Sequence, residues 1–372
     1  MTLKKEILSR FCGETSDGGE TSGRGETNGR PLYLPDFTLW YNWHHKKGTL
    51  PDQWKDYSLP QIARDMGVPI WLTVRPWRVE TPDVEITTTE NETERVIRAE
   101  SSYGILVWRW VIGPDGAWWQ ADYPVKTTDN LLAAVELAKA RSYVLDPTAL
   151  TRLEAEVGDD GVLAIEIPRR PYADLLHEFL GWGDGLMLLT EPAILEINAI
   201  LETKLQTFMQ EIAQLPGHLI FSPDNLDDQF IPPPVLQEYL ADSYRRTADV
   251  LHEQDKYLLV HVGGPIKHLL PSLATTGIDG LEGIAGLPQS NASLVTAREL
   301  IGPEMTLWGG IPQDFLLKTY DEHEFETAVK EILQEITPYN RMIIGVADRV
   351  PVEAELSKLE VIPQLIEQIL PS

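Results

Sequence analysis

YLLVHVGG, residues 257–264, sets four apolar or aromatic residues before His261 and then turns on a pair of glycines. A continuous apolar run of this length reads as a strand buried on both faces, since a half-exposed strand would alternate. The glycines let the backbone turn tightly and let a ligand approach, so the imidazole is delivered to a place where chemistry is feasible. The plain alternative is a buried neutral histidine bonded to a carbonyl.

Similar runs recur on either side of this one. They are PLYLPDF (31–37), PIWLTVRPW (69–77), VLAIEIPRR (162–170), GLMLLTEP (185–192), HLIFSPDN (218–225), GIDGLEG (277–283), MTLWGGI (305–311) and RMIIGVAD (341–348). Most are followed by a helical pattern, such as residues 233–256 and 324–336. Buried strands alternating with helices specify a parallel sheet. Eight or nine such units in one chain predict an α/β fold of the (β/α)8, or TIM barrel, type. No G-x-G-x-x-G follows the first strand, which removes the main cue for an open dinucleotide-binding sheet.

Two regions depart from this rhythm. Residues 79–126 are rich in Thr and Trp and carry GPDG at 113–116, which predicts an antiparallel β meander inserted in the barrel. Its tryptophans (Trp108, Trp110, Trp118, Trp119) are expected to pack the meander, with a pocket wall as the sharper alternative. At the other end of the chain, residues 2–11 form a short amphipathic helix with Leu3, Ile7, Leu8 and Phe11 on one face. Gly-Glu-Thr then recurs at 13, 19 and 25, a composition that predicts a flexible loop. The domain reading is therefore residues 1–30 as helix and loop, and 31–372 as one barrel domain.

Composition narrows the function. The 372 residues carry a formal net charge of −26, which argues against nucleic acid as the main partner. Cys12 is the one cysteine, so an internal disulfide and a multi-thiolate metal site are excluded. No run approaches the roughly 20 apolar residues of a membrane span, and the N-terminus is too polar for a signal peptide. A cytoplasmic protein with a small-molecule substrate and no membrane partner is the expectation, and a homodimer is compatible with it.

In a barrel of this kind the active site lies at the C-terminal ends of the strands. That makes candidates of Asp36, Arg75, Arg78, Glu166, Arg169, Glu191, Asp224, Asn225, His261, Glu282 and Asp348. His261 leads, and Glu282, at the end of the next strand, is its expected neighbour. Together they offer an acid–base pair or two ligands of a divalent metal. Asp224 is a third catalytic candidate, with helix or turn capping as the alternative. Asn225, Asp348 and Arg75 are expected to give polar substrate contacts, and Trp40, Trp43 and Trp77 apolar walls. His44 and His45 follow the first strand, and at most one of them is expected to reach the mouth.

FSPDNLDDQF through YLLVHVGG, then GIDGLEGIAGLPQSN and LWGGIPQ, resemble in their order the uroporphyrinogen decarboxylase superfamily. The likeness is closer to the branch of corrinoid-dependent methyltransferases and O-demethylases, and YPVKTTDNL and GVADRVP add to it. The resemblance implies a barrel open at the strand C-termini and methyl transfer from a small substrate to a corrinoid on a partner protein. It also implies zinc held by a His-x-Cys pair. His261 matches the His, but the Cys position is Gly263. At most, His261 and Glu282 would hold a metal without thiolate. A decarboxylase-type lyase of porphyrin biosynthesis is the alternative, yet LPDFTLWYNWHH lacks the arginine pair that the resemblance leads one to expect after the first strand. A non-catalytic binding barrel is the third reading, favoured by the missing Cys.

Overall fold

The computed structural model describes residues 1–12, 32–113, 116 and 118–369. The Gly-Glu-Thr segment and the central residues of the GPDG turn lie outside the described residues. The chain divides into two compact units, Met1–Val74 with Ala149–Ile167 and Pro216–Ser372, and Arg75–Thr148 with Pro168–Leu215.

The first unit holds eight parallel strands: β1 (Leu32–Tyr33), β2 (Ile70–Val74), β3 (Gly161–Glu166), β4 (Leu219–Leu226), β5 (Tyr257–Val262), β6 (Gly280–Ile284), β7 (Thr306–Ile311) and β8 (Met342–Val346). Each pairs with its successor from β2 through β8, and β8 pairs with β1. The two strands at the ends of this order, β1 and β2, are consecutive in the chain, as a closing barrel requires.

Curling is visible in the side chains. Trp71 of β2 and Trp308 of β7 stand five strands apart in the order, yet their rings meet edge to face at 4.7 Å. In a flat sheet that spacing would be roughly 24 Å. The Trp308 indole also donates to the Leu34 carbonyl beyond β1 at 2.9 Å. The sheet is thus rolled around its own side chains as a (β/α)8 barrel.

Alternation along each strand sorts the interior into levels. At the N-terminal end Leu32, Trp71, Val162, Leu219, Leu259, Trp308 and Ile343 form one apolar cluster. Helix α1 (Leu3–Cys12) closes it from below with Ile7 and Phe11, both buried. This is the amphipathic face read from the sequence, and it is tied down where Thr306 Oγ1 donates to the Arg10 carbonyl at 2.7 Å. Two residues further up the strands, Leu259 gives way to His261 and Gly280 to Glu282. The polar level therefore begins at the C-terminal mouth.

The second unit contains the expected meander as a four-stranded antiparallel sheet, Glu85–Glu90, Glu94–Ser101, Gly104–Ile112 and Trp118–Asp122. One face, with Ala99, Leu106 and Trp108, packs with the helix Leu131–Ala140 in an apolar core. Trp108 lies edge-on to Phe179 at 5.8 Å, so it packs as expected, whereas Trp119 is 57% exposed. The unit is larger than the meander alone. It adds a two-stranded ribbon, Trp77–Glu80 with Ser142–Leu145, and the helix Pro192–Ile212. GLMLLTEP, read as a barrel strand, is instead a 3-10 turn over Asp184–Leu188 leading into that helix. Periodicity alone does not separate a short apolar strand from a buried turn.

Candidate active site

β5 and β6 run in register with His261 directly beside Glu282. Both side chains turn inward, and His261 Nδ1 lies 2.6 Å from Glu282 Oε2. The carboxylate is 7% exposed and the imidazole 14%, so the pair is largely cut off from water. On the far side of the ring, Nε2 is 3.6 Å from Asp348 Oδ1, just beyond β8. Asp348 in turn lies 3.4 Å from Arg349 Nε. One imidazole is thus bracketed by two carboxylates.

The backbone around the pair is specialised. Gly283 follows Glu282 with φ 95°, and a Cβ there would sit 2.9 Å from the His261 ring and 2.4 Å from the Val262 carbonyl. Only glycine leaves room for the ring in this pose. Four non-glycine residues in the described chain have positive φ, and two of them, Asn225 (54°) and Asp348 (62°), stand at barrel strand ends. Such conformations cost free energy and persist where surrounding contacts impose them, often at functional sites.

Charge and burial tune these groups together. Burial opposes the imidazolium of His261, but the bonded Glu282 and the nearby Asp348 outweigh it and raise its pKa above the ordinary value. Burial raises the pKa of Glu282, with Asp348 and Asp36 adding to the effect and His261 opposing it. The two groups are in direct contact, so their titrations are coupled. Asp36, just past β1, is also raised by burial, although Thr38 donates its backbone N–H to Oδ1 at 2.7 Å. Burial opposes the charge of Arg349, and Asp348, Asp36 and Glu282 reverse that and raise its pKa.

The remaining sequence candidates fall elsewhere. Asp224 is fully buried, and its Oδ2 accepts hydrogen bonds from Ser222 and Tyr244, both at 2.7 Å. Through Tyr244 it anchors the helix Ala241–His252 to β4. Trp40 is buried against Trp54 and beside His44, and Trp43 lies under Lys47. His44 spends one ring nitrogen on Thr49 and the other on the Val352 carbonyl. Arg75 and Trp77 belong to the second unit, where the guanidinium stacks on the indole at 4.9 Å and Trp77 meets Tyr143 edge-on. Arg349 was missed in the sequence, where its position after Asp348 in GVADRVP is the signal that identifies it. Asp36 was noted there only as a strand end.

The donor set does not suit the implied metal. Gly263 occupies the position of the thiolate, and a Cβ there would lie 1.5 Å from Asn225 Oδ1. Cys12 is exposed on α1. Among the described residues, no three His, Cys, Asp or Glu side chains form a group that could hold a metal ion. A catalytic zinc takes three protein ligands, whereas here Nδ1 is spent on Glu282 and only Nε2 and Asp348 face each other. The residues do not fit a zinc–thiolate centre.

Comparison with known proteins places this geometry. The Uroporphyrinogen decarboxylase (URO-D) family model matches residues 198–369, which take in β4 to β8 and the site residues from Asn225 to Arg349, but not Asp36. The matched segment is somewhat less than half of the 372 residues. The URO-D resemblance read from motif order thus coincides with the segment that bears the site. Among solved structures, a methyltransferase from Methanosarcina mazei superposes with a TM-score of 0.56 at 14% identity, covering 99% of each chain. At that identity the likeness is one of fold, and it extends through both units of this chain. A D-psicose 3-epimerase from Clostridium cellulolyticum H10 gives a TM-score of 0.37 at 11% identity, over 66% of this chain and 93% of that one. No curated protein matches. Among the described residues, no helix is long and apolar enough to cross a membrane.

Proposed function

We propose that this URO-D domain protein is a methyltransferase- or demethylase-like enzyme that takes a methyl group from a small substrate at the barrel mouth. The observation that carries the reading is the buried His261–Glu282 pair, with Nε2 directed toward Asp348 and the open end of the barrel. Breaking a methyl–oxygen or methyl–nitrogen bond leaves the electron pair on the heteroatom, and the step is eased when that atom is protonated as it leaves. A protonated His261 supplies this proton from Nε2, and Glu282 holds the ring in place and favours its charged form. The methyl group passes to an acceptor that brings its own electron pair; a corrinoid on a partner protein is the acceptor implied by the resemblance. The shared fold with a methyltransferase over 99% of the chain supports this reading.

Porphyrinogen decarboxylation, suggested by the family's description, is weighed down by charge. Asp36, Glu282 and Asp348 stand with Arg349 and the imidazole, so these cations already have carboxylate partners and little positive charge is left to hold a polycarboxylate substrate. The test is to incubate the protein with methoxyarenes or methylated amines and reduced cobalamin, following methylcobalamin by absorbance. Methyl transfer that His261→Ala abolishes is the expected result. Decarboxylation of uroporphyrinogen with no methyl transfer would overturn the proposal.

A further inference from the structure

The join between the β4 and β5 strand ends is made by side chains seated on glycines. Asn225 Oδ1 lies where a Cβ of Gly263 would be, at 1.5 Å, and Asp227 Oδ2 lies 2.2 Å from where a Cβ of Gly264 would be. The Gly263 N–H donates to the Leu226 carbonyl at 3.0 Å, and the Gly264 carbonyl accepts from Ser290 Oγ at 3.0 Å. The backbone of Asn225 is bent into the left-handed region to make this fit, with φ 54°. A strained residue on one strand end thus fills the volume beside the histidine strand that a side chain at position 263 would need.

We infer that the Asn225 carboxamide has replaced a metal-binding thiolate, so that His261 works as a metal-free imidazole held by Glu282. The seat is specific: its two sides, Asn225 and Gly263, exclude each other's enlargement. A cysteine introduced at 263 would clash with the carboxamide before it reached any ion. Removing the carboxamide clears the volume, and glycine at 225 also adopts positive φ without strain, so Asn225→Gly is compatible with the fold. The thiolate introduced by Gly263→Cys, two residues along the strand from His261, would then join His261 Nε2 and Asp348, 3.6 Å apart, as a third donor.

The test reads metal rather than turnover, so its outcome is independent of whether methyl transfer occurs. Wild type, Gly263→Cys, Asn225→Gly/Gly263→Cys and that double variant with His261→Ala are titrated with zinc and with cobalt(II), with folding checked by circular dichroism. The expected results are no stoichiometric metal in wild type and one equivalent in the double variant, with a thiolate-to-cobalt charge-transfer band. The double variant should bind roughly 10–100-fold more tightly than Gly263→Cys alone, and should lose the ion with His261→Ala. One zinc in wild type that disappears with His261→Ala would overturn the inference. So would equal binding by Gly263→Cys alone, or failure of both cysteine variants to bind while folded.

Discussion

The two ends of the barrel interior are built from the same strands and have opposite characters. At the N-terminal end Leu259, Trp71, Trp308 and α1 make an apolar plug. One alternation higher, His261 and Glu282 bury charge that the plug would never admit. Filling an interior with apolar side chains stabilises it, whereas burying an imidazole–carboxylate pair costs desolvation and is retained where it serves another end. On the proposed function the lower end carries stability and the upper end chemistry, a division expected for this fold.

Substitutions at each end should keep that division sharp. His261→Ala removes the proton donor and is expected to lower methyl transfer by about 10²–10⁴-fold, measured as initial rates on folded protein. Trp308→Ala opens the plug and is expected to cost about 3–5 kcal/mol in urea unfolding. Its interior contact with Trp71 and its bond to the Leu34 carbonyl are both lost. Thr306→Val deletes only the hydroxyl that holds α1 through the Arg10 carbonyl, for about 1 kcal/mol in the same assay. A rate loss at Trp308, on folded protein, as large as that at His261 would break the division.

Much of the barrel is legible in the sequence because its strands are buried on both faces and announce themselves as apolar runs. His261 and Glu282 follow from the same reasoning, since adjacent parallel strands in register bring their ends together. Asp224 and Asn225 are adjacent, and which of the two faces the mouth cannot be told before the register is known, because one residue along a strand reverses the side chain. Arg349 lies beyond β8, and the seat of Asn225 on Gly263 depends on a shift of register in β4 between Ser222 and Leu226; periodicity encodes neither. The second unit is larger than its meander because residues 168–215 share the apolar, helical character of the barrel repeats. Their membership is settled by packing around Leu201 and Phe179, which local sequence does not specify.

The central claim is that Glu282 keeps His261 protonated for transfer, and an NMR titration of the His261 ring tests it most directly. In the wild type the ring should titrate above its ordinary value, because the carboxylates outweigh burial. This interaction stabilises the fold fully below the unfolded-state pKa, and the contribution is lost as pH rises through the native value. In Glu282→Gln the largest opposing charge is gone while burial remains, so the pKa should fall and the alkaline limb of activity should move to lower pH with it. An unchanged His261 titration in Glu282→Gln would contradict the account.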